Sequence, residues 1–228
     1  MPQIPKFLFK NDTRDDLVIA PALFIIDAQN CFISPKGSYG EMGFETKKYE
    51  TAVPTMANAV KKARRLGMPI FFSKAVREAS GLDNLDRVHK ILPKARRERI
   101  RRTPLCVRGT WDSEIIKEIT ADPQKDYIVE KRRDSAFYGT ELEVWLKALG
   151  IDTLVFAGID TAICVESTLR DAFNVGYDVI LLSDATASLN TSHYSGTLEK
   201  VGANFGLVMT TDAFFAKLKK NEDKKGNG

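Results

Sequence analysis

Residues 154–173 read LVFAGIDTAICVESTLRDAF, an apolar run that leads through a glycine into a helical pattern. A short continuous apolar run is typical of a strand that is buried on both faces of a sheet. Cys164 stands just inside the helix that follows. A buried cysteine is usually only a small hydrophobe, but a cysteine at the start of a helix after a strand can be a nucleophile. The stretch therefore predicts a strand–turn–helix unit and leaves two interpretations of its thiol open.

The same alternation of apolar runs and helical patterns continues along the chain. The predicted strands are residues 22–27, 68–73, 126–131, 152–158, 177–184 and 205–210. The predicted helices are residues 51–67, 111–119, 139–150, 161–176, 191–202 and 211–220. Strands that alternate with helices indicate a parallel sheet with helices on both faces. We therefore predict an α/β fold with three α/β/α layers and a six-stranded, mostly parallel sheet, in one domain over residues 1–220 with a disordered tail at 221–228.

The composition is that of an ordinary globular protein. Hydrophobic residues make up 43% and charged residues 28% of the 228 positions, and the net charge of +4 is mild. No apolar run approaches the ~20 residues of a membrane span, and the N-terminal residues show no signal-peptide core. We therefore expect a cytoplasmic protein that binds neither membrane nor nucleic acid. In that compartment its three cysteines should be thiols, with Cys31 and Cys106 as pocket or packing residues.

Three reactive side chains follow predicted strands. In parallel α/β sheets, ligands bind beyond the carboxyl ends of the strands, and Asp27, Lys131 and Cys164 come at or just after such ends. A single acid at a strand end is commonly a helix cap or an ion-pair partner, but three such residues together favour a catalytic site. The chain has only two histidines, His89 and His193, and neither has another ligand at metal-binding spacing. We predict no metal and no cofactor.

These three residue types together suit nucleophilic catalysis. A free cysteine has a pKa of about 8.5, which a helix start and a nearby ammonium lower. A carboxylate can take the thiol proton and return it to a leaving group. Backbone N–H groups at the turn from strand to helix can stabilise the oxyanion that forms. The expected reaction is hydrolysis of a C–N bond through a thioester or S-carbamoyl intermediate.

Three motifs also resemble a known family. They are IIDAQNCF at 25–32, VEKRRDSAFYGTEL at 129–142 and AGIDTAICVESTLRDAFNVGYDVILLSDAT at 157–186. With these motifs the chain resembles the isochorismatase-like cysteine hydrolases from about residue 21 to residue 218. The resemblance implies a homodimer or homotetramer that acts on a small molecule.

The resemblance also assigns roles to individual residues. It implies that Asp27, Lys131 and Cys164 form the catalytic triad. It further implies a cis peptide bond between Ile159 and Asp160, with the backbone N–H groups of Asp160 and Cys164 as the oxyanion hole. Relatives usually carry a small residue at the position of Asp160. A carboxylate there would oppose the oxyanion unless it points away or is paired, or it would contact a substrate N–H group.

The resemblance narrows the substrate to a class. The segment FFSKAVREASG at 71–81 lacks the histidine of metal-dependent nicotinamidases, and isochorismatases proper lack the cysteine. Segments such as GSYGEMGF at 37–44 and RGTWDSEI at 108–115 look most like ureidoacrylate amidohydrolases, with biuret and N-carbamoyl hydrolases similar. We expect hydrolysis of a small ureido or carbamoyl amide with release of ammonia. The alternatives are a nicotinamidase- or maleamate-type amidase and vinyl-ether cleavage.

Further residues are predicted to contact the substrate or to form a surface. The predicted substrate contacts are Gln29, Asn30, Phe32, Trp111, Arg132 and Phe137. The basic run KARRERIRR at 94–102 is expected to be a solvated helix face or a subunit contact. Its non-enzymatic alternative is a basic scaffold or a nucleic-acid-binding surface.

Overall fold

The computed structural model describes residue 18, residues 20–119 and residues 121–225. Its centre is one parallel sheet of six strands in the order β3–β2–β1–β4–β5–β6. The strands are β1 (Pro21–Ile26), β2 (Ile70–Ala75), β3 (Tyr127–Lys131), β4 (Thr153–Ile159), β5 (Asp178–Ala187) and β6 (Leu207–Met209). The predicted α/β class and the six-stranded sheet are confirmed.

Helices connect the strands and cover the sheet. They are α1 (Asn30–Ile33), α2 (Ser38–Glu41), α3 (Lys47–Glu50), α4 (Val53–Arg65), α5 (Leu85–Val88), α6 (Lys94–Arg102), α7 (Leu142–Ala148), α8 (Glu166–Asn174), α9 (Thr191–Asn204) and α10 (Thr211–Lys225). Leu23 and Ile25 of β1 pack into one hydrophobic cluster, and Phe24 and Ile26 pack into a second. This alternation buries β1 on both faces, as its continuous apolar run predicts.

The strand order reverses between β1 and β4. Chain connections run outward from β1 through β2 to β3, and from β4 through β5 to β6. Such a switch point leaves a crevice beyond the carboxyl ends of the two central strands. Gly158 pairs with Ile26 there, at φ +114°, and a Cβ atom on it would lie 2.1 Å from the Ile26 carbonyl oxygen. Only glycine lets β4 approach β1 this closely.

Two segments differ from their predictions. Residues 111–119 are not a helix beyond the 3₁₀ turn Trp111–Ser113. Their backbone instead pairs with the chain after β1, where the Asn30 N–H donates to Glu114 and the Ile116 N–H donates to Ala28. At the other end of the chain α10 continues to Lys225, five residues into the predicted tail, and residues 226–228 lie outside the described residues.

No helix within the described part of the chain has both the length and the apolar character that a membrane span requires.

Candidate active site

Asp27 lies directly after β1, in a backbone conformation that aims its carboxylate into the crevice. Its φ of +49° is in the left-handed region, which costs a residue with a Cβ atom about 1–2 kcal/mol. Ser73 of β2 compensates through two hydrogen bonds. The Asp27 N–H donates to the Ser73 hydroxyl (3.1 Å), which itself donates to Asp27 Oδ1 (2.6 Å). The carboxylate is therefore buried and held in one orientation.

Lys131 ends β3 and reaches across β2 to the same crevice. Its Nζ lies 2.7 Å from Asp27 Oδ2 and donates to the carbonyl oxygens of Arg133 (3.1 Å) and Asp134 (2.9 Å). Burial disfavours the charged amine, but the nearby Asp27 carboxylate and Cys164 outweigh it and raise the pKa of Lys131. The side chain is therefore a buried ammonium with three acceptors.

Cys164 lies in a π-helical turn, Thr161–Val165, between β4 and α8. The Thr168 hydroxyl of α8 donates to the Cys164 carbonyl oxygen (2.7 Å), which fixes the turn to the helix. Burial raises the pKa of the Cys164 thiol well above its usual value, Lys131 lowers it, and Asp27 and Asp134 raise it again. The predicted lowering by the ammonium is present but is outweighed by burial, so the resting group is a neutral thiol.

Asp160 is the N-cap of the π-helical turn and follows a cis peptide bond from Ile159, as the resemblance implies. Its Oδ1 accepts hydrogen bonds from the Ala162 N–H (2.8 Å) and the Ser188 hydroxyl (2.5 Å). Its Oδ2 accepts bonds from the Tyr49 hydroxyl (2.9 Å) and the Leu189 N–H (3.2 Å). Of the three expected arrangements, the structure has the one in which the Asp160 carboxylate is paired. The carboxylate binds the protein around it.

Asp27, Lys131 and Cys164 line one cavity of about 70 Å³, which we call the inner cavity. It adjoins an outer cavity of about 330 Å³, and the two share lining residues. The inner cavity is also lined by Phe32, Tyr39, Tyr49, Arg77, Arg96, Arg133, Asp134 and Asp160. Three side chains from three different strand ends thus meet in one small, partly enclosed space at the switch point.

Phe32 is the predicted substrate contact that lines the inner cavity, and the structure does not bring Gln29, Asn30 or Trp111 to that cavity. The Gln29 amide is buried and donates to the carbonyl oxygens of Ala75 (2.9 Å) and Ser113 (2.8 Å). Asn30 donates to the Trp111 carbonyl oxygen (2.8 Å), and both residues line a separate cavity. These amides join the chain after β1 to the 111–115 segment and are not free for a substrate.

Arg132 and Phe137 also lie outside the inner cavity. Arg132 forms ion pairs with Glu78 and, at 3.4 Å, with Asp83. The ring of Phe137 packs 6.1 Å from that of Tyr177, against the hydrophobic cluster under the sheet. Arg133, the neighbour of the predicted arginine, lines the cavity instead.

Several cavity residues were not predicted. Arg77 lies in the chain just after β2, so the rule of polar residues at strand ends would have found it there, and the same rule would have found Ser73 of β2, which binds Asp27 and does not line the cavity. Tyr39 lies in the GSYGEMGF segment, whereas Tyr49 and Arg96 come from α3 and α6, and no local pattern marks them as cavity residues.

Cys31 and Cys106 form a disulfide bond, so the prediction of three thiols is wrong. The bond joins α1 to the loop after α6 across 75 residues, and its Cα atoms are 5.8 Å apart. The Cys106 N–H donates to the Asp112 carboxylate (2.9 Å), and Cys106 lines the inner cavity. The disulfide could not be predicted from the sequence, because only the folded chain brings these two distant cysteines together. Cys164 is the free cysteine among the described residues.

A family model described as the isochorismatase domain matches residues 21–213, which is most of the chain. The chain belongs to the isochorismatase family. This family member is 36% identical over 204 residues to ureidoacrylate amidohydrolase RutB of Methylobacterium radiotolerans, covering 86% of this chain and 78% of that protein. It is 34% identical over 200 residues to the protein of the same name from Variovorax paradoxus, covering 85% and 79%.

Solved structures of the family have the same fold. An isochorismatase family protein from Desulfovibrio vulgaris aligns with a TM-score of 0.74 and 27% identity, over 88% of this chain and 98% of that chain. N-carbamoylsarcosine amidase from Thermoplasma acidophilum aligns with a TM-score of 0.69 and 28% identity, over 85% and 98%. The predicted family and fold are thus confirmed, as is the predicted enzyme class, a hydrolase of carbon–nitrogen bonds in amides.

Proposed function

We propose that the protein is a metal-independent cysteine amidohydrolase that cleaves a small ureido or carbamoyl amide through a covalent Cys164 intermediate and releases ammonia. The observation that carries the proposal is the meeting of the Cys164 thiol with the buried Asp27–Lys131 ion pair in one cavity. Amidohydrolases and an N-carbamoyl amidase among the relatives support the substrate class.

In the first half-reaction Asp27 acts as the base and then as the acid. The Cys164 thiol is neutral at rest because burial raises its pKa, so its proton passes to Asp27 as sulfur attacks the carbonyl carbon. The C–N bond then breaks, and Asp27 returns the proton to the departing nitrogen, which leaves as ammonia. Lys131 stays protonated throughout and keeps the Asp27 carboxylate oriented. The product on the enzyme is a carbamoyl thioester.

In the second half-reaction water replaces the amine. Asp27 takes a proton from a water molecule, and the water oxygen attacks the thioester carbonyl carbon. The C–S bond then breaks, a carbamic acid leaves, and Asp27 returns the proton to the Cys164 thiolate. Each step passes through a tetrahedral oxyanion, for which we propose the backbone N–H groups of Asp160 and Cys164 as donors. The Asp160 carboxylate accepts hydrogen bonds from Ala162, Ser188, Tyr49 and Leu189. These four donors offset its negative charge, so it opposes the oxyanion less.

Replacement of the nucleophile tests the proposal. Cys164→Ala and Cys164→Ser should lose ammonia release by at least about 1,000-fold, because the covalent route is removed, and should still bind substrate. A suitable screen measures ammonia from biuret, ureidoacrylate, N-carbamoyl amino acids, nicotinamide and maleamate. Ser167→Ala, three positions further along the chain, serves as the matched control and should keep full activity. Turnover that persists in Cys164→Ala would refute the mechanism.

A further inference from the structure

We propose that the substrate carries a carboxylate and that Arg77 and Arg96 bind it, which makes ureido or N-carbamoyl acids the preferred substrates over neutral ureides. This inference rests on the proposed function and names the substrate class of the same site. It is carried by two arginines that line both the inner and the outer cavity and form no ion pair with the described residues.

Arg77 is held rigidly at the junction of the two cavities. Its N–H donates to the Cys106 carbonyl oxygen and its own carbonyl oxygen accepts from the Arg108 N–H, both at 2.9 Å. Its Nη1 donates to the Val76 carbonyl oxygen (2.8 Å), which leaves most of the five guanidinium N–H donors without a protein acceptor. The disulfide holds the Cys106 loop to α1. The guanidinium is therefore positioned in advance for a ligand.

The charge on Arg77 is only partly compensated by the protein. Burial lowers the pKa of Arg77. The nearby Asp83 carboxylate raises this pKa, and the nearby Arg133 cation lowers it further. Asp83 is itself shared with Arg132, at 3.4 Å from Nε. A half-buried cation without a full counter-charge favours an anionic ligand, and a carboxylate matches the guanidinium fork with two parallel hydrogen bonds.

Arg96 supplies the second cation from α6. Two other arginines of the helix, Arg99 and Arg101, make their side-chain contacts outside the inner cavity. Arg101 pairs with Asp86 (2.8 Å), and Arg99 lies 4.9 Å from the centre of the Phe44 ring. Arg96 is exposed, in the first turn of α6, and lines both cavities. The basic run thus contributes one arginine to the mouth of the candidate active site.

Asp134 and Cys164 line the inner cavity and not the outer one, whereas Arg77 and Arg96 line both. The Asp134 carboxylate lines the inner cavity without an ion pair among the described residues, and lies close enough to Cys164 to raise the thiol pKa. A carboxylate accepts the N–H donors of a urea-like group. A ureido acid has the complementary groups, with N–H donors beside the scissile carbonyl and a negative charge at the far end. Its carbonyl then faces Cys164 while its carboxylate faces Arg77 and Arg96.

Steady-state kinetics on a matched pair of substrates tests the inference. We would compare N-carbamoyl-β-alanine with its uncharged carboxamide in the wild-type protein, Arg77→Gln, Arg96→Gln and Arg102→Gln. The wild type should prefer the acid. Each of the first two variants should raise KM for the acid by about 10- to 100-fold with a smaller change in kcat, because a charge-assisted hydrogen bond is lost. The preference for the acid over the carboxamide, as the ratio of their kcat/KM values, should fall by a similar factor. Arg102, exposed on the same helix and outside both cavities, is the control.

Two outcomes overturn the inference and leave the proposed function intact. One is a wild-type protein that hydrolyses the carboxamide or biuret better than the acid. The other is an Arg96→Gln variant, at an exposed helix position that folding does not require, whose KM for the acid equals that of Arg102→Gln.

A binding measurement separates the inference from the chemistry. Titration calorimetry of the acid into Cys164→Ala, with and without Arg77→Gln, needs no turnover. Suppose that the acid binds Cys164→Ala, that Arg77→Gln weakens this binding, and that the wild type does not turn the acid over. That result would support the carboxylate site and refute the proposed reaction. Equal binding by both proteins would refute the carboxylate site.

Discussion

At the scale of single residues, Asp160 shows how one carboxylate organises the turn that carries Cys164. Its four hydrogen bonds connect the π-helical turn to Tyr49 and to the end of β5. These donors belong to three segments that are far apart in sequence. All four bonds go to protein groups, so the Asp160 carboxylate positions the turn that carries Cys164.

Replacement of Asp160 should weaken both the fold and the turn. In Asp160→Ala, the hydroxyl of Tyr49 and the N–H group of Leu189 lose their acceptor, which should lower the free energy of unfolding by about 1–3 kcal/mol and reduce kcat. Tyr49→Phe removes one of the four bonds and should cost less. Urea unfolding followed by fluorescence measures both variants. An Asp160→Ala protein as stable as the wild type would contradict the assignment.

The pH dependence of Cys164 alkylation tests the raised thiol pKa. An acid with a raised pKa stays protonated to higher pH, so the thiolate fraction should grow about tenfold per pH unit through neutrality and on to about pH 9. The rate of iodoacetamide incorporation should rise accordingly without a plateau. Lys131→Met removes the cation that lowers this pKa and should slow the reaction further. A plateau below about pH 8 would indicate a thiolate stabilised at rest, and Cys164→Ser is the blank.

At the scale of elements, the site depends on what lies between the strands as much as on the strands. Asp27 follows β1, Lys131 ends β3, and β2 between them supplies Ser73. The long connection from β2 to β3 carries α6 and the Cys106 loop to the mouth of the cavity. The disulfide is the covalent link between this connection and α1.

Loss of the disulfide should destabilise the protein. Closing a loop of 75 residues removes unfolded-state entropy worth about 4 kcal/mol at 25 °C. A Cys31→Ser/Cys106→Ser double variant should therefore unfold at lower denaturant, and a dithiol reductant should shift the wild type in the same direction and leave the double variant unchanged. A thiol titration of the unreduced, denatured wild type should count one free cysteine, and a count of three would contradict the bond.

At the scale of the whole molecule, electrostatics should matter for the substrate and little for the fold. For the anionic substrate that we propose, the net charge of +4 and the arginines at the cavity mouth should strengthen binding, and salt should screen that attraction. Between about 0.02 M and about 0.5 M salt, kcat/KM for N-carbamoyl-β-alanine should fall roughly three- to tenfold, while that for its carboxamide stays level. Arg96→Gln should flatten the dependence. An equal salt effect on both substrates would point to a general effect on the enzyme.

The homodimer or homotetramer expected from the resemblance stays a prediction, as does the cytoplasmic location. Light scattering during size-exclusion chromatography measures the first directly.

Much of the protein follows from local sequence patterns. Apolar runs that alternate with amphipathic segments determine a parallel sheet covered by helices, and a residue at a strand end lies at the edge of that sheet whatever the strand order is. Asp27, Lys131 and Cys164 were predictable for this reason. Element boundaries and the 111–119 segment were not, because backbone pairing with distant residues decided them.

The remaining site residues depended on the tertiary structure. Strand order and the path of the long connections decide which side chains converge, so Arg77 and Arg96 face the cavity while Gln29 and Arg132 are bound elsewhere. Burial also reverses an expectation based on neighbouring charge alone, since desolvation of the Cys164 thiol outweighs the ammonium beside it. The sequence by itself determined the family, the sheet and the position of Asp27, Lys131 and Cys164 beyond the strand ends. Only the folded chain decided the surroundings of those three, because desolvation and contact are properties of residues brought together from distant parts of the sequence.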